Sequence, residues 1–290
     1  MHSEYLELAL VQTKPRKGPV AANRDALRAL LLPLQAAPPD VILLPEAALT
    51  GYFLEGATLE CALTREEIAD ELAGVWRSVS SAPVEFVCGF YEQASGVVYN
   101  SAIAVAITSD TLEILHVHRK LFLPTYGVFD EARFVKRGRR VRTYTGVRLP
   151  SAIAICEDAW HALVPTIAAM KGAQLLFVPS ASPAREPRDG EFENLRQWEA
   201  ILRGIAREHG MFVCYAGLTG FEGGKGMSGG SCVIDPSGDL VARASNFEAE
   251  VLRVRLDLAD LAVARAALPL LGDLRNVWAD LLRECDVTDA

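Results

Sequence analysis

The chain has 290 residues, half of them hydrophobic and 23% charged, which suits a compact globular protein and excludes a mainly disordered one. A formal net charge of −8 sets the chain as a whole against phosphate backbones and anionic membranes, so neither a nucleic-acid nor a membrane partner is expected. Residues 1–11 lack a basic region leading into an apolar stretch, and no segment reaches the roughly 18 uncharged apolar residues of a membrane span; a cytoplasmic location is the expectation.

In chain order, apolar runs at 6–12, 41–44, 84–91, 97–108 and 112–118 predict strands, followed by further strands at 147–156, 174–178, 211–218, 231–235 and 240–244. Helices are predicted at 20–35, at 65–80 behind a Thr64/Glu67 capping box, at 159–171 ending on Gly172, and at 191–209 ending on Gly210. Strand and helix alternate at both ends of the chain with hairpins between. Two mixed sheets, each covered outside by helices and inside by the other sheet, satisfy that order, so the predicted fold is α/β, a four-layer αββα sandwich. Residues 1–267 read as one domain and 268–290 as a weakly patterned tail with one or two amphipathic turns around 274–282. The glycine-rich stretch 220–230 lacks phosphate-loop spacing and leads into a strand, which predicts a flexible hairpin loop.

The six cysteines stand far apart with no CxxC pair, so reduced thiols are expected and neither a disulfide framework nor a zinc site is indicated. His116, His118, His161 and His209 show no metal spacing, with packing the expected role of the His116/His118 pair; no metal and no cofactor is predicted. Arg133, Lys136, Arg137, Arg139, Arg140, Arg142 and Arg148 form one basic run. A solvated face is its plainer reading and attraction of an anionic substrate the sharper one.

Three segments carry the candidate chemistry. Ile153-Ala154-Ile155-Cys156 is a strand entering a helix, where partial positive charge and free amides favour a thiolate and bind an oxyanion. Taken alone, a free cysteine is more often a small buried hydrophobe. Glu46 follows a buried strand and Pro45, and Lys120 follows the strand that ends at His118-Arg119; singly, each reads equally as an ordinary loop residue. Together they supply a nucleophile, a base and a cation, the set that acyl transfer requires.

With Leu44-Pro45-Glu46, Arg119-Lys120-Leu121-Phe122-Leu123-Pro124, Phe129-Asp130-Glu131 and Cys156-Glu157-Asp158-Ala159-Trp160 in this order, the chain resembles the nitrilase superfamily of carbon-nitrogen hydrolases over about residues 6–256. The Cys-Glu-Asp-x-Trp form, residues 126–131 and Ser180-Ala181-Ser182-Pro183 are most similar to the glutaminase domain of glutamine-dependent NAD synthetase. The chain is too short for the ligase domain of that enzyme, which implies a free-standing amidase. Segments 216–220 and 227–228 depart from the family pattern on the pocket side.

The resemblance implies a Glu46, Lys120 and Cys156 triad that hydrolyses a small-molecule amide through a thioester and releases ammonia. It also implies an oxyanion contact from the Glu157 backbone N–H and a positioning role for Glu131. Tyr52, Tyr126, Ser182 and Arg185 are expected at the pocket, Arg185 as a carboxylate clamp. A homodimer or larger assembly is implied, with helix 159–171 at the interface or, equally, packed into the core. Nitrile and N-carbamoyl hydrolysis use the same triad and stay open. A metal-dependent phosphoesterase and a non-catalytic scaffold also fit an αββα sandwich, although the metal ligands of the former are missing.

Overall fold

The computed structural model describes residues 4–18, 20–185, 187–188 and 191–285. In chain order the elements are β1 (Tyr5–Gln12), α1 (Val20–Leu31), β2 (Val41–Leu43), α2 (Thr58–Cys61), α3 (Arg65–Arg77), β3 (Val84–Ala94), β4 (Val97–Ile107) and β5 (Leu112–Arg119). The second half adds β6 (Thr143–Thr145), β7 (Pro150–Ile153), α4 (Leu163–Met170), β8 (Leu175–Ser180), β9 (Pro187–Arg188), β10 (Glu191–Phe192) and α5 (Glu193–His209). It closes with β11 (Phe212–Gly217), β12 (Thr219–Glu222), β13 (Lys225–Ser228), β14 (Cys232–Ile234), β15 (Leu240–Arg243), β16 (Glu250–Asp257), α6 (Asp260–Ala267) and α7 (Leu270–Cys285).

Two six-stranded sheets dominate, one ordered β16-β1-β2-β3-β4-β5 and the other β15-β14-β11-β8-β7-β6. Period-two alternation assigns their faces. Along β1, Leu6, Leu8 and Leu10 join the cluster that also holds Phe177 and Cys214 of the other sheet, while Ala9 and Val11 pack with Leu27, Leu72 and Trp76 of the helical layer. Val41 and Leu43 face inward and Ile42 faces the helices in the same way. Helices α4 and α5 cover the second sheet through Val164, Ala168, Trp198 and Leu202. The expected αββα sandwich is the observed one.

Several boundaries differ from expectation for local reasons. Helix α1 stops at Leu31 and tightens into a 3₁₀ turn, because Pro33 supplies no amide and restricts the residue before it. The Thr64/Glu67 capping box forms as predicted. The strand predicted at 147–156 shrinks to Pro150–Ile153, because a turn closes from Gly146 N–H to Leu149 O and Cys156 departs at φ 44°. The helix predicted from 159 starts only at Leu163, after a 3₁₀ turn over Cys156–Trp160 and an extended His161. The glycine-rich stretch is a regular hairpin of β12 and β13 turning at Gly223 and Gly224.

Strand β16, which the sequence reading left out, pairs antiparallel with β1 along its full length, with Val254 and Leu256 buried and Arg253 and Arg255 exposed. The described part of the tail forms a continuous helix, Leu270–Cys285, rather than one or two turns, and of the residues of that helix only Leu271 is buried. Residues 286–290 lie outside the described set. No described helix is long and apolar enough to cross a membrane.

Candidate active site

The ends of β2, β4, β5 and β7 bring four polar side chains into an apolar interior. Glu46 leaves β2 through Pro45 and a bend at Ala47, whose φ is 52°. The neighbouring strand touches this bend so closely that a Cβ on Gly89 would lie 2.5 Å from the Glu46 Cα and 2.7 Å from the Pro45 oxygen. Glycine is therefore required at 89 for Glu46 to reach its position. Lys120 follows β5, its N–H donating to Asn100 O on β4 at 2.8 Å.

Lys120 is fully buried and paired on two sides: its Nζ donates to Glu46 Oε1 at 2.7 Å and to Glu131 Oε2 at 2.8 Å. The Asn100 amide bridges the two carboxylates, donating to Glu46 Oε1 at 2.7 Å and to Glu131 Oε1. Glu46 Oε2 accepts the Ala181 N–H at 2.8 Å, and Glu131 Oε2 accepts the Tyr52 hydroxyl at 3.0 Å. Burial pushes the Glu46 pKa up and Glu131 adds to the rise, against the pull of Lys120. Burial alone would depress Lys120, but Glu131 and Glu46 hold it well above its ordinary value. The array therefore keeps a charged ammonium between two carboxyls, one of them a strengthened base.

Cys156 is buried at the end of the strand that β7 starts, in a left-handed backbone conformation that is costly for a residue with a Cβ. Burial pushes its thiol strongly up, Glu46 adds to this, and Lys120 opposes it. Where the sequence predicts a helix N-terminus at the thiol, the structure has a five-residue 3₁₀ turn, too short for an appreciable dipole to set against burial.

The remaining expected residues divide. Tyr52 is buried against the array, its ring 5.6 Å from Lys120 Nζ. Tyr126 is half exposed and donates its hydroxyl to the Glu157 carboxylate at 2.7 Å, which ties the loop after Lys120 to the turn at Cys156. Ser182 lies nearby, but its hydroxyl accepts from Asn194 Nδ2 and Trp198 Nε1, both at 3.1 Å, which ties it to α5. Arg185 is exposed and lines a surface depression with Phe221 and Phe247, so its guanidinium stands outside the buried array. Of the two departures from the family pattern, Leu218 and Met227 pack with Ala47, Tyr52 and Tyr91, directly beside Glu46. Within the described residues no group of three or more His, Cys, Asp or Glu is placed to hold a metal ion.

Three residues of this region were not singled out from the sequence. Asn100 is one of three successive polar residues, Tyr99, Asn100 and Ser101, inside an otherwise apolar strand, and that interruption is the signal. Asp158 lies two residues after the thiol and is fully buried. Its Oδ1 accepts the N–H groups of Leu121 and Phe122 at 2.9 and 3.0 Å, and its Oδ2 accepts Ile155 N–H at 3.2 Å and faces His118 Nε2 at 2.9 Å. Glu222 on β12 accepts the Tyr52 and Phe53 N–H groups at 2.8 and 2.9 Å, fixing the loop beyond Glu46.

A carbon-nitrogen hydrolase family model matches residues 7–266. Among curated proteins, the chain is 31% identical over 263 residues to a glutamine-dependent NAD(+) synthetase of Xylella fastidiosa, covering 87% of this chain and 44% of that one. A second, from Thermotoga maritima, is 30% identical over 256 residues, at 87% and 42% coverage. The chain thus spans less than half the length of these relatives. A carbon-nitrogen hydrolase structure from Helicobacter pylori G27 superposes with a TM-score of 0.84 at 24% identity, covering 97% of this chain and 99% of that one. A mutant of the Nesterenkonia AN1 amidase from the nitrilase superfamily gives a TM-score of 0.74 at 23% identity, covering 96% of each chain. This chain belongs to the carbon-nitrogen hydrolase family.

Proposed function

We propose that the protein hydrolyses the carbon-nitrogen bond of a small amide, releasing ammonia through a thioester on Cys156. The observation that carries this reading is the buried array in which one ammonium bridges two carboxylates beside a strained thiol. Charges in such a dry setting act far more strongly on a reacting carbonyl than they would in water.

In the proposed course, Glu46 takes the Cys156 proton as the sulfur attacks the carbonyl, forming the S–C bond. Lys120 and the Glu157 N–H stabilise the oxyanion. Collapse breaks the C–N bond, and the nitrogen leaves as ammonia with the proton from Glu46. Glu46 then deprotonates a water that attacks the thioester, and the same proton returns to the departing sulfur. Glu131 fixes Lys120 and does not exchange protons. A raised Glu46 pKa suits this double transfer, because a base near the working pH both accepts and releases a proton readily.

The side-chain amide of glutamine is the first substrate to test, because the curated relatives are named as glutamine-dependent. The deciding experiment measures ammonia release from glutamine, simple aliphatic amides, nitriles and N-carbamoyl compounds, with Cys156→Ala as control and EDTA added in parallel. Turnover of an amide that the alanine variant loses and EDTA leaves intact supports the reading. Turnover that survives in the variant and disappears with chelator would replace it with metal-dependent hydrolysis.

A further inference from the structure

We propose that the basic run lines a docking groove for an extended acidic segment of a protein partner, which adds to the free edge of β5 and sets its carboxylates among the arginines. β5 closes its sheet, with β4 on one side and no strand on the other. Ile114, Leu115, His116 and Val117 line the same groove of about 490 Å³. A strand viewed on its face would contribute only alternate residues, so these consecutive ones mean that the groove wall is the strand edge itself. That edge carries unpaired main-chain donors and acceptors, the groups that recruit an added strand.

The opposite wall is the loop holding Arg137, Arg139, Arg140 and Arg142, all four exposed. It is fixed in place: Gly138 N–H donates to Lys120 O and Val141 O accepts Lys171 Nζ, both at 2.7 Å, while the Val141 side chain is buried in the main core. The four guanidiniums make no hydrogen bond or ion pair with other described residues. The one carboxylate in the groove, Glu92, is already taken by Arg119 at 2.7 Å through both of its oxygens and by the Ser101 hydroxyl at 2.7 Å. A cluster of unmatched positive charge on a chain of net charge −8 therefore borders a strand edge.

The chemistry favours a peptide over a nucleic acid. A single strand would need aromatic faces for its bases, but the Tyr99 ring is covered by Arg119 at 4.0 Å and His116 is stacked on Tyr144 at 5.3 Å. A phosphate polymer has no use for the main-chain acceptors of β5. The β-bulge opposite Ala104/Val105 interrupts the edge and the Gly138 backbone lies against the Arg119 oxygen, so the pairing centres on Val117, whose N–H and C=O face away from β4 in the ladder that Lys120 N–H continues to Asn100 O.

The test uses the full chain and a fluorescein-labelled decapeptide of alternating Glu and Thr, read by anisotropy at low salt. Saturable binding is expected, weakened about tenfold or more in the triple variant Arg139→Ser, Arg140→Ser, Arg142→Ser. Its unaltered thermal unfolding would show that the fold is intact. The outward-facing amide of Val117 on β5 should also exchange more slowly with the peptide bound. Absence of saturable binding, equal binding by the triple variant, or binding without protection of β5 would overturn the proposal. Inorganic polyphosphate or oligothymidylate that binds as tightly as the peptide, with the β5 amides still exchanging freely, would mark a plain anion site and overturn it as well.

Discussion

Asp158 and His118, 40 residues apart in the chain, meet at 2.9 Å in the interior, and the same carboxylate gathers the amides of Leu121, Phe122 and Ile155. One buried side chain thus couples the segment that delivers Lys120 to the turn that delivers Cys156. Asp158→Asn keeps the size but replaces one acceptor oxygen with a donor that faces hydrogen-bond donors. The variant should lose about 1–3 kcal/mol of stability, the desolvation cost of groups left unpaired. It should also lower kcat more than it raises KM. Chemical denaturation together with amidase kinetics would check both, and unchanged kcat would reduce Asp158 to a purely structural residue.

Glu46 and Lys120 should fail differently. Glu46→Gln should slow acylation and thioester hydrolysis by about a hundredfold or more, the usual range for loss of a general base. Lys120→Ala should cost about 10²–10³ in rate, as for one lost oxyanion donor. Lys120→Arg should not restore activity, since the site holds a compact ammonium between two carboxylates and a planar fork places its donors differently. Mass spectrometry after mixing with substrate distinguishes the roles: an acyl adduct on Cys156 should accumulate in the Glu46 variant when deacylation is slowed more than acylation, whereas free enzyme should dominate in the Lys120 variant.

The pH profile follows from the direction of the Glu46 shift. The base must be ionised to act, and burial raises its pKa above the ordinary 4.5. Activity should therefore fall as pH drops through a window higher than that of a solvated carboxylate. Lys120, held well above 10.5, should stay charged throughout and contribute no alkaline limb below that point. Measured kcat/KM against pH with a neutral amide gives the answer; an acid limb in the ordinary carboxylate range would contradict the assignment of Glu46.

Gly89→Ala tests the close approach of β3 to the Glu46 bend. The added methyl meets backbone on both sides, so neither neighbour yields by rotating a side chain. A loss of about 1–3 kcal/mol or more is expected in thermal or chemical unfolding, together with reduced turnover from a displaced Glu46. Retention of full stability would show that the two strands separate easily.

The proposed assembly concerns α4. Its face divides: Val164, Ala168 and Ala169 are core, whereas Leu163 is 64% exposed. If α4 forms a homodimer interface, Leu163→Asp should convert the assembly to monomer in light scattering at micromolar concentration. A wild-type monomer under those conditions would remove the proposal.

Periodicity in the sequence decided the two sheets and their flanking helices, because alternation at two residues and recurrence near 3.6 are written directly into the apolar pattern. Motif order likewise marked Glu46, Lys120 and Cys156, since each follows a strand whose apolar run is plain, while Glu131, in a 3₁₀ turn, was marked by the family resemblance alone. The structure alone decided the rest. Asn100, Asp158 and Glu222 act through partners far along the chain, and nothing local to them names those partners. The bonds that tie the Ser182 hydroxyl to Asn194 and Trp198 of α5 were hidden for the same reason. The state of the thiol also depended on three dimensions: its neighbours in sequence suggested activation, but the burial that sets its proton affinity is a property of the folded interior.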